Sequence, residues 1–238
     1  MENKAQKYRD LLFDVDNTLL DFDRAEHEGF KETLKQHGCP TGEELIRAYS
    51  RINNDHWKML ERGEIDRTTL LWHRFWAFGQ ECHLEHLDPQ VMAEDYMRNL
   101  SRQIFLLNGA EEVCRVLSGK YRLSAITNGN AFVQHSRFDH SPLFPYFYTC
   151  IISEEVGCAK PSEAFFRAVQ QKLPDIRPDH TLVIGDSLTS DIAGGVRWGC
   201  DTCWLSQSDR LNPDRVEKDL RPTYVISQLS QLLDILKS

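Results

Sequence analysis

Several features that would assign this chain to a functional class at once are missing from it. No run approaches the roughly 18 apolar residues that a membrane-spanning helix needs. The first residues, Met1–Arg9, are polar and charged and carry no apolar signal-peptide core, so the cytoplasm is the expected location. No block of Lys and Arg stands out, and the formal net charge is -8. A nucleic-acid polymer and an anionic membrane surface are therefore not expected partners. A negative protein can still take a phosphorylated small molecule through a local cation or metal. Cysteine is present but unpatterned: seven residues, an odd count, at positions 39, 82, 114, 150, 158, 200 and 203. Without an export signal these are expected to be free thiols. Cys200 and Cys203 form a formal C-x-x-C, yet no second such pair and no paired-histidine motif completes a zinc site. The nine histidines, His83 and His86 among them, fit no metal spacing. Internal repeats and low-complexity segments are also missing.

What remains is the profile of an ordinary globular protein. At 238 residues, 41% hydrophobic and 27% charged, the chain can bury one large core or two smaller ones. Its order along the chain is uneven. Residues 8–14 read as a strand. From Asp23 to about Arg102 the apolar spacing is helical, with few strand signals. A first helix runs from Asp23 to His37 and is closed by Gly38. A second spans Thr41–Arg62, with Ile46, Tyr49, Asn53, Trp57 and Leu60 near one face, and is interrupted at Gly63. A third is capped by Asp66 and carries Leu70, Trp72, Phe75, Trp76 and Phe78. The fourth opens at Asp88-Pro89. About 80 residues of helix after one strand are too many for a crossover and imply an inserted subdomain.

Beyond residue 105 strands and helices alternate. Strands are expected at 123–126, 150–152, 181–184, 202–205 and 224–226. Helices are expected at 109–117, 132–138, 162–172, 191–198 and 228–236, with a Pro-punctuated loop at 206–222. Alternation of this kind implies a parallel, doubly wound α/β sheet. The expected division is 1–22 with 105–238 as an α/β core and 23–104 as a helical insert.

Polar punctuation sits at four strand ends: Asp14-Val15-Asp16-Asn17-Thr18, Thr127-Asn128-Gly129, Lys160-Pro161, and Gly185-Asp186 with Asp191 following. In open α/β sheets, sites form beyond the carboxyl ends of the strands. Asp14 and Asp16, two apart in extended chain, project the same way and repel unless a cation or a proton intervenes. On those two residues alone, a divalent-metal site, an acid/base pair and a plain polar turn all remain open. The other three strand ends supply complementary chemistry. A carboxylate can attack phosphorus, and a second can move the proton. Asp14 and Asp186 suit Mg²⁺. The Thr127 hydroxyl, the amides near Asn128 and Gly129 and the Lys160 charge suit a phosphoryl group.

As a set, these motifs resemble the haloacid dehalogenase superfamily of phosphohydrolases, in order and over the whole chain, and the helical insert resembles the cap of one large subclass. The resemblance implies a Rossmann-like core with an inserted α-helical cap that opens and closes over the site. It also implies Asp14 as nucleophile, Asp16 as general acid/base, and Mg²⁺ held by Asp14, Asp186 and the Asp16 carbonyl. Thr127, Asn128, Gly129 and Lys160 would hold phosphate. Thr18 would join them or cap its turn, and Asp191 would support the metal shell or orient Lys160.

Within the superfamily, dehalogenating and phosphonate-cleaving members lack an acid at the position of Asp16, so its presence here favours phosphate esters. Asn17 stands where phosphosugar mutases usually show Gly. The runs Asp14–Phe22 and Gly185–Ile192 are similar to capped cytosolic nucleotidases that act on nucleoside 5′-monophosphates, pyrimidines above all. The alternatives are a phosphatase of sugar phosphates or N-acylneuraminate 9-phosphate and, in another class, a catalytically idle phospholigand-binding or scaffold protein on the same fold. The partner implied is a small phosphate ester, with monomer and homodimer both open.

Overall fold

The computed structural model of the chain describes residues 7–206 and 220–237. The described residues up to Phe22 and from Ile104 onward form one compact unit, and Asp23–Gln103 form another.

The first unit is built on six parallel strands, in the order β3-β2-β1-β4-β5-β6 among the described residues. They are β1 (Asp10–Phe13), β2 (Arg122–Thr127), β3 (Thr149–Ile152), β4 (Thr181–Gly185), β5 (Asp201–Leu205) and β6 (Tyr224–Ile226). β1 lies between β2 and β4, with Leu12 beside Ser124 on one side and Val183 on the other. A strand so placed is covered on both faces, which is why its apolar run is continuous rather than alternating.

The two faces still divide its residues by parity. Leu11 and Phe13 join Leu182, Ile184, Val113, Leu117 and Phe138 in one buried cluster. Leu12 joins Val183, Ile126, Phe165, Phe166 and Val169 in another. The first cluster brings in α5 (Ala110–Ser118), α6 (Ala131–Asp139) and α10 (Gln231–Ile235); the second, α8 (Glu163–Lys172). Strand order reverses at β1, so the carboxyl ends of β1 and β4 open a crevice between them. Asp14 begins there, its backbone amide donating to the Ile184 carbonyl at 2.8 Å.

The second unit contains most of α1 (Phe22–Gln36), then α2 (Glu43–Glu61), α3 (Arg67–Glu81) and α4 (Pro89–Leu100). The caps read from the sequence are present. Asp66 accepts from the Thr69 amide and Asp88 from the Gln90 and Val91 amides, while Gly38 and Gly63 turn at positive φ. Its core is aromatic: Phe30, Tyr49, Phe75, Phe78 and Tyr96 pack ring against ring.

Three details depart from the sequence expectations. On α2 the buried stripe turns through Ile52 and His56, leaving Trp57 and Leu60 half-buried. His56 is drawn inward because both ring nitrogens find partners, the Ile52 carbonyl and His73. Trp76, expected in the helical core with Phe75 and Phe78, is 46% exposed, because three neighbouring rings cannot share one helix face. The turn after β3 is a short helix, α7 (Ser153–Val156), and the helix expected at 191–198 is a π-turn, Leu188–Ile192, followed by α9 (Ala193–Trp198). Of the loop read at 206–222, residues 207–219 lie outside the described residues. All seven cysteines are free thiols, with Cys200 and Cys203 buried in the core. No helix among the described residues is long and apolar enough to cross a membrane.

Candidate active site

Four loops at the carboxyl ends of β1, β2, β3 and β4 hold the polar residues singled out from the sequence. The first leaves β1 at Asp14 and turns back through Asn17, which adopts φ 57°. Asparagine tolerates the left-handed region, and its side chain secures the turn by accepting from the Phe22 amide at 2.9 Å. Thr18 is fully buried and its hydroxyl has no hydrogen-bond partner, so it neither caps this turn nor faces solvent.

Lys160 is the hub. Its side chain is 1% exposed, and its ammonium donates to Asp14 Oδ1 at 2.7 Å, Asp191 Oδ1 at 2.7 Å and the Ile126 carbonyl at 2.8 Å. All three protons are thereby committed. Burial works against its charge, but the Asp14 and Asp191 carboxylates outweigh that cost and hold the ammonium above its ordinary range. The lysine follows β3 by eight residues and reaches the site because Asn128 clips its backbone. The Asn128 amide group accepts from the Lys160 amide and donates to the Lys160 carbonyl, both at 2.9 Å. That side chain thus anchors the Lys160 backbone.

Asp191 is brought to Lys160 by the loop after β4. Its second oxygen accepts from the Ser187 amide at 3.1 Å. Gly185 makes room, since a Cβ there would fall 2.2 Å from Asp191 Oδ2 and 2.5 Å from its Cβ. Trp204 on β5 pins the same loop by donating to the Asp186 carbonyl at 2.8 Å. Asp14, Asp186 and Asp191 offer carboxylate oxygens within 4.8 Å of one another. Burial pushes the Asp14 carboxyl up to about 7, with Lys160 pulling it down and Asp191 and Asp16 adding repulsion. Burial likewise raises Asp186 to about 8, reinforced by repulsion from Asp14 and Asp191.

Three carboxylates against one ammonium leave an excess of negative charge in a buried place. Among the described residues, Asp14 Oδ2 and the Asp186 carboxylate accept no hydrogen bond, so the donor set fits a hard divalent cation. Both oxygens of Asp191 are bonded, one to Lys160 and one to the Ser187 amide.

Opposite this cluster stands Asp16. Its Oδ1 accepts from Arg137 Nη1 and its Oδ2 from Gln134 Nε2, each at 2.6 Å. Gln134 Nε2 also donates to Thr127 Oγ1 at 2.7 Å, and the Gly129 amide donates to the same hydroxyl at 3.1 Å. The Thr127 oxygen therefore accepts twice, which aims its proton away from both donors, toward an incoming acceptor. Gly129 leaves room for this bond, because a Cβ there would lie 2.3 Å from Gln134 Nε2 and 2.5 Å from its Cγ and would displace that side chain.

Gln134 and Arg137 were not among the residues singled out from the sequence. Their signal was faint but present: both lie on the side of α6 that carries Val133 and Phe138, and a glutamine and an arginine on an inward face need a buried partner. The Phe22 ring lies beneath the Arg137 guanidinium at 5.6 Å.

Fold and site together define a Rossmann-like α/β core whose strand ends gather an acidic cluster, a buried lysine and a separate carboxylate. The model of the haloacid dehalogenase-like hydrolases matches residues 9–199, and the chain belongs to that family. YfnB of Bacillus subtilis (strain 168) is 36% identical over 231 residues, covering 97% of this chain and 96% of the relative. A magnesium-bound crystal structure of YfnB superposes with TM-score 0.91 over 98% of this chain and all of that one. The pyrimidine 5′-nucleotidase PynA of Streptococcus pneumoniae (strain ATCC BAA-255 / R6) is 36% identical over 96% of this chain and 95% of its own. The pyrimidine 5′-nucleotidase YjjG of Escherichia coli (strain K12) is 28% identical over 95% and 96%. At lower identity, 23%, stands the N-acylneuraminate-9-phosphatase of Mus musculus.

Proposed function

We propose that the protein is a Mg²⁺-dependent phosphatase of small phosphate monoesters, and that its substrates are nucleoside 5′-monophosphates of the pyrimidine class. The observation that carries the reaction type is the separation of two carboxylates into two environments. Asp14 lies against Lys160 in the acidic cluster, with one oxygen left open, and suits attack on phosphorus. Asp16 stands apart on Gln134 and Arg137, half in solvent, and suits proton transfer.

In the first step an Asp14 oxygen bonds to phosphorus, the bond to the ester oxygen breaks, and Asp16 gives that oxygen its proton. In the second, water attacks the aspartyl-phosphate, Asp16 takes the water's proton, and phosphate leaves. Lys160 and Asp191 fix the Asp14 rotamer throughout. The Thr127 hydroxyl and the amides beside it receive the phosphoryl oxygens. Asp14, Asp186 and the Asp16 carbonyl would hold Mg²⁺, which offsets the charge between an anionic nucleophile and an anionic ester. In the same reading residues 23–104 are a cap that selects the ester, inserted directly after the Asp14–Leu20 loop.

The two nucleotidase relatives support the pyrimidine nucleotide assignment, and the N-acylneuraminate relative supports a sugar-phosphate phosphatase as the second reading. Phosphate release with Mg²⁺ across nucleoside monophosphates, sugar phosphates and phosphorylated acids tests both. Preference for UMP, dUMP or dTMP supports the first; preference for sugar phosphates replaces it with the second. No turnover on any ester would leave the idle phospholigand-binding protein.

A further inference from the structure

The Asp16 carboxylate is gripped from one side by a single helix. Arg137 and Gln134, three residues apart on α6, each bond one of its oxygens at 2.6 Å. The two partners differ in exposure: the Arg137 side chain is 0% exposed, that of Asp16 27%. Removing a guanidinium from water costs several kcal/mol before any partner is counted. Asp16 reaches solvent and needs no such partner to be hydrated. The arrangement therefore makes sense as geometry: one guanidinium nitrogen, Nη1, holds Asp16 Oδ1 while the Gln134 amide holds Oδ2, and the guanidinium itself lies over the Phe22 ring at 5.6 Å.

The helix is itself indexed to the site. Glu154 of α7 accepts from the Ala131 amide at 2.6 Å and from the Asn130 side chain, fixing where α6 starts. Gln134 ties Asp16 to the Thr127 hydroxyl.

We propose that Arg137 is a positioning residue for the general acid/base, holding Asp16 in the one orientation from which it delivers a proton to the leaving oxygen. Gln134 couples that orientation to the phosphate-binding hydroxyl. The proposal rests on the phosphatase reading above. The proton moves from Asp16 to the ester oxygen as the bond to phosphorus breaks, and Arg137 takes no part in bond making. Its effect must therefore depend on how badly the leaving group needs that proton. A ribose 5′-oxygen needs it; p-nitrophenolate does not.

The test compares kcat/KM for UMP and for p-nitrophenyl phosphate in Mg²⁺, because kcat/KM reports only the steps up to phosphoryl transfer. Arg137→Met is expected to lose about 30- to 100-fold on UMP and less than about 3-fold on the nitrophenyl ester. Arg137→Lys keeps the buried charge without the planar fork and is expected to fall between wild type and Arg137→Met on UMP alone; it carries the comparison if Arg137→Met does not melt cooperatively. Gln134→Leu, which also releases Thr127, is expected to lose rate on both esters. Equal losses on the two esters for Arg137→Met and Arg137→Lys, or no loss on either, overturn the positioning role while leaving the phosphatase reading intact. An unaltered protein that hydrolyses neither ester overturns both.

Discussion

Each unit of this protein buries charge, and the two do it in opposite ways. In the helical unit Glu26 accepts from Ser50 and from Asn53 Nδ2, the latter at 2.5 Å, and Asn53 in turn accepts from Arg74 at 2.6 Å. Arg74 also lies over the rings of Phe75 and Tyr96, at 5.1 and 5.3 Å. One acid is matched by one base across the Asn53 amide, and both acid oxygens have donors. At the sheet's carboxyl ends, three carboxylates share one ammonium whose protons are already spent. The first cluster is balanced and holds helices together; the second is unbalanced by design of its loops and asks for a cation. Burial alone does not mark a functional site, since both clusters are buried. An uncompensated charge does.

Breaking the second cluster should give the largest effect. Asp14→Asn is expected to lower kcat by about 10⁴-fold or more, since it removes the nucleophile, with a cooperative melt retained. A steady-state phosphate-release assay checks the rate, and near-normal turnover would refute the covalent role of Asp14. Breaking the first should cost stability instead. Arg74→Ala is expected to destabilise by about 3–5 kcal/mol, because it strands Glu26 without its countercharge. Urea unfolding measures this, and folded Arg74→Ala protein should keep its Asp14 chemistry.

Metal sharpens the contrast. Mg²⁺ at about 100 times its Kd should stabilise the wild type by about 2.7 kcal/mol. Thermal melts should show that gain shrinking in Asp186→Asn and persisting in Arg74→Ala; a chelator should stop turnover reversibly.

The smallest expected effect is on pH. Asp14 and Asp186 have folded-state values raised to about 7 and about 8 without metal. The folded state therefore binds protons more tightly than the unfolded one. The stability this confers is fully present below the unfolded carboxyl range near pH 4 and is lost as pH rises through 7 and 8. Metal-free protein should thus melt at lower temperature at pH 9 than at pH 6, and Asp14→Asn should flatten the slope. A metal-free melting temperature that rises over that range would contradict the burial argument.

How much of this was readable in the chain differs by residue. Asp14, Thr127 and Asp186 stand at the ends of apolar runs, and a strand end is a place that sequence periodicity locates well; Lys160 lies eight residues beyond its strand and was picked out by its Lys-Pro pair in company with the other three. Asp66 and Asp88 were readable as caps because capping is decided within four residues. Trp76 and the α2 face were misjudged because which of several adjacent apolar side chains goes inward depends on neighbours from other helices. Asn128 stands at the strand end where it was expected, and its bond to the Lys160 backbone, 32 residues away in sequence, was not readable.

Sequence by itself determined where the polar loops follow strands, the run of helices after the first strand and the carboxylates proposed to react, since each rests on local periodicity and residue chemistry. Tertiary structure alone decided who holds whom. Lys160 spends its three protons on Asp14, Asp191 and a backbone carbonyl, and Arg137 and Gln134 divide the oxygens of Asp16. Those pairings join residues as far as 146 positions apart. They follow from the convergence of strand ends at one edge of the sheet, and no window of sequence contains both partners.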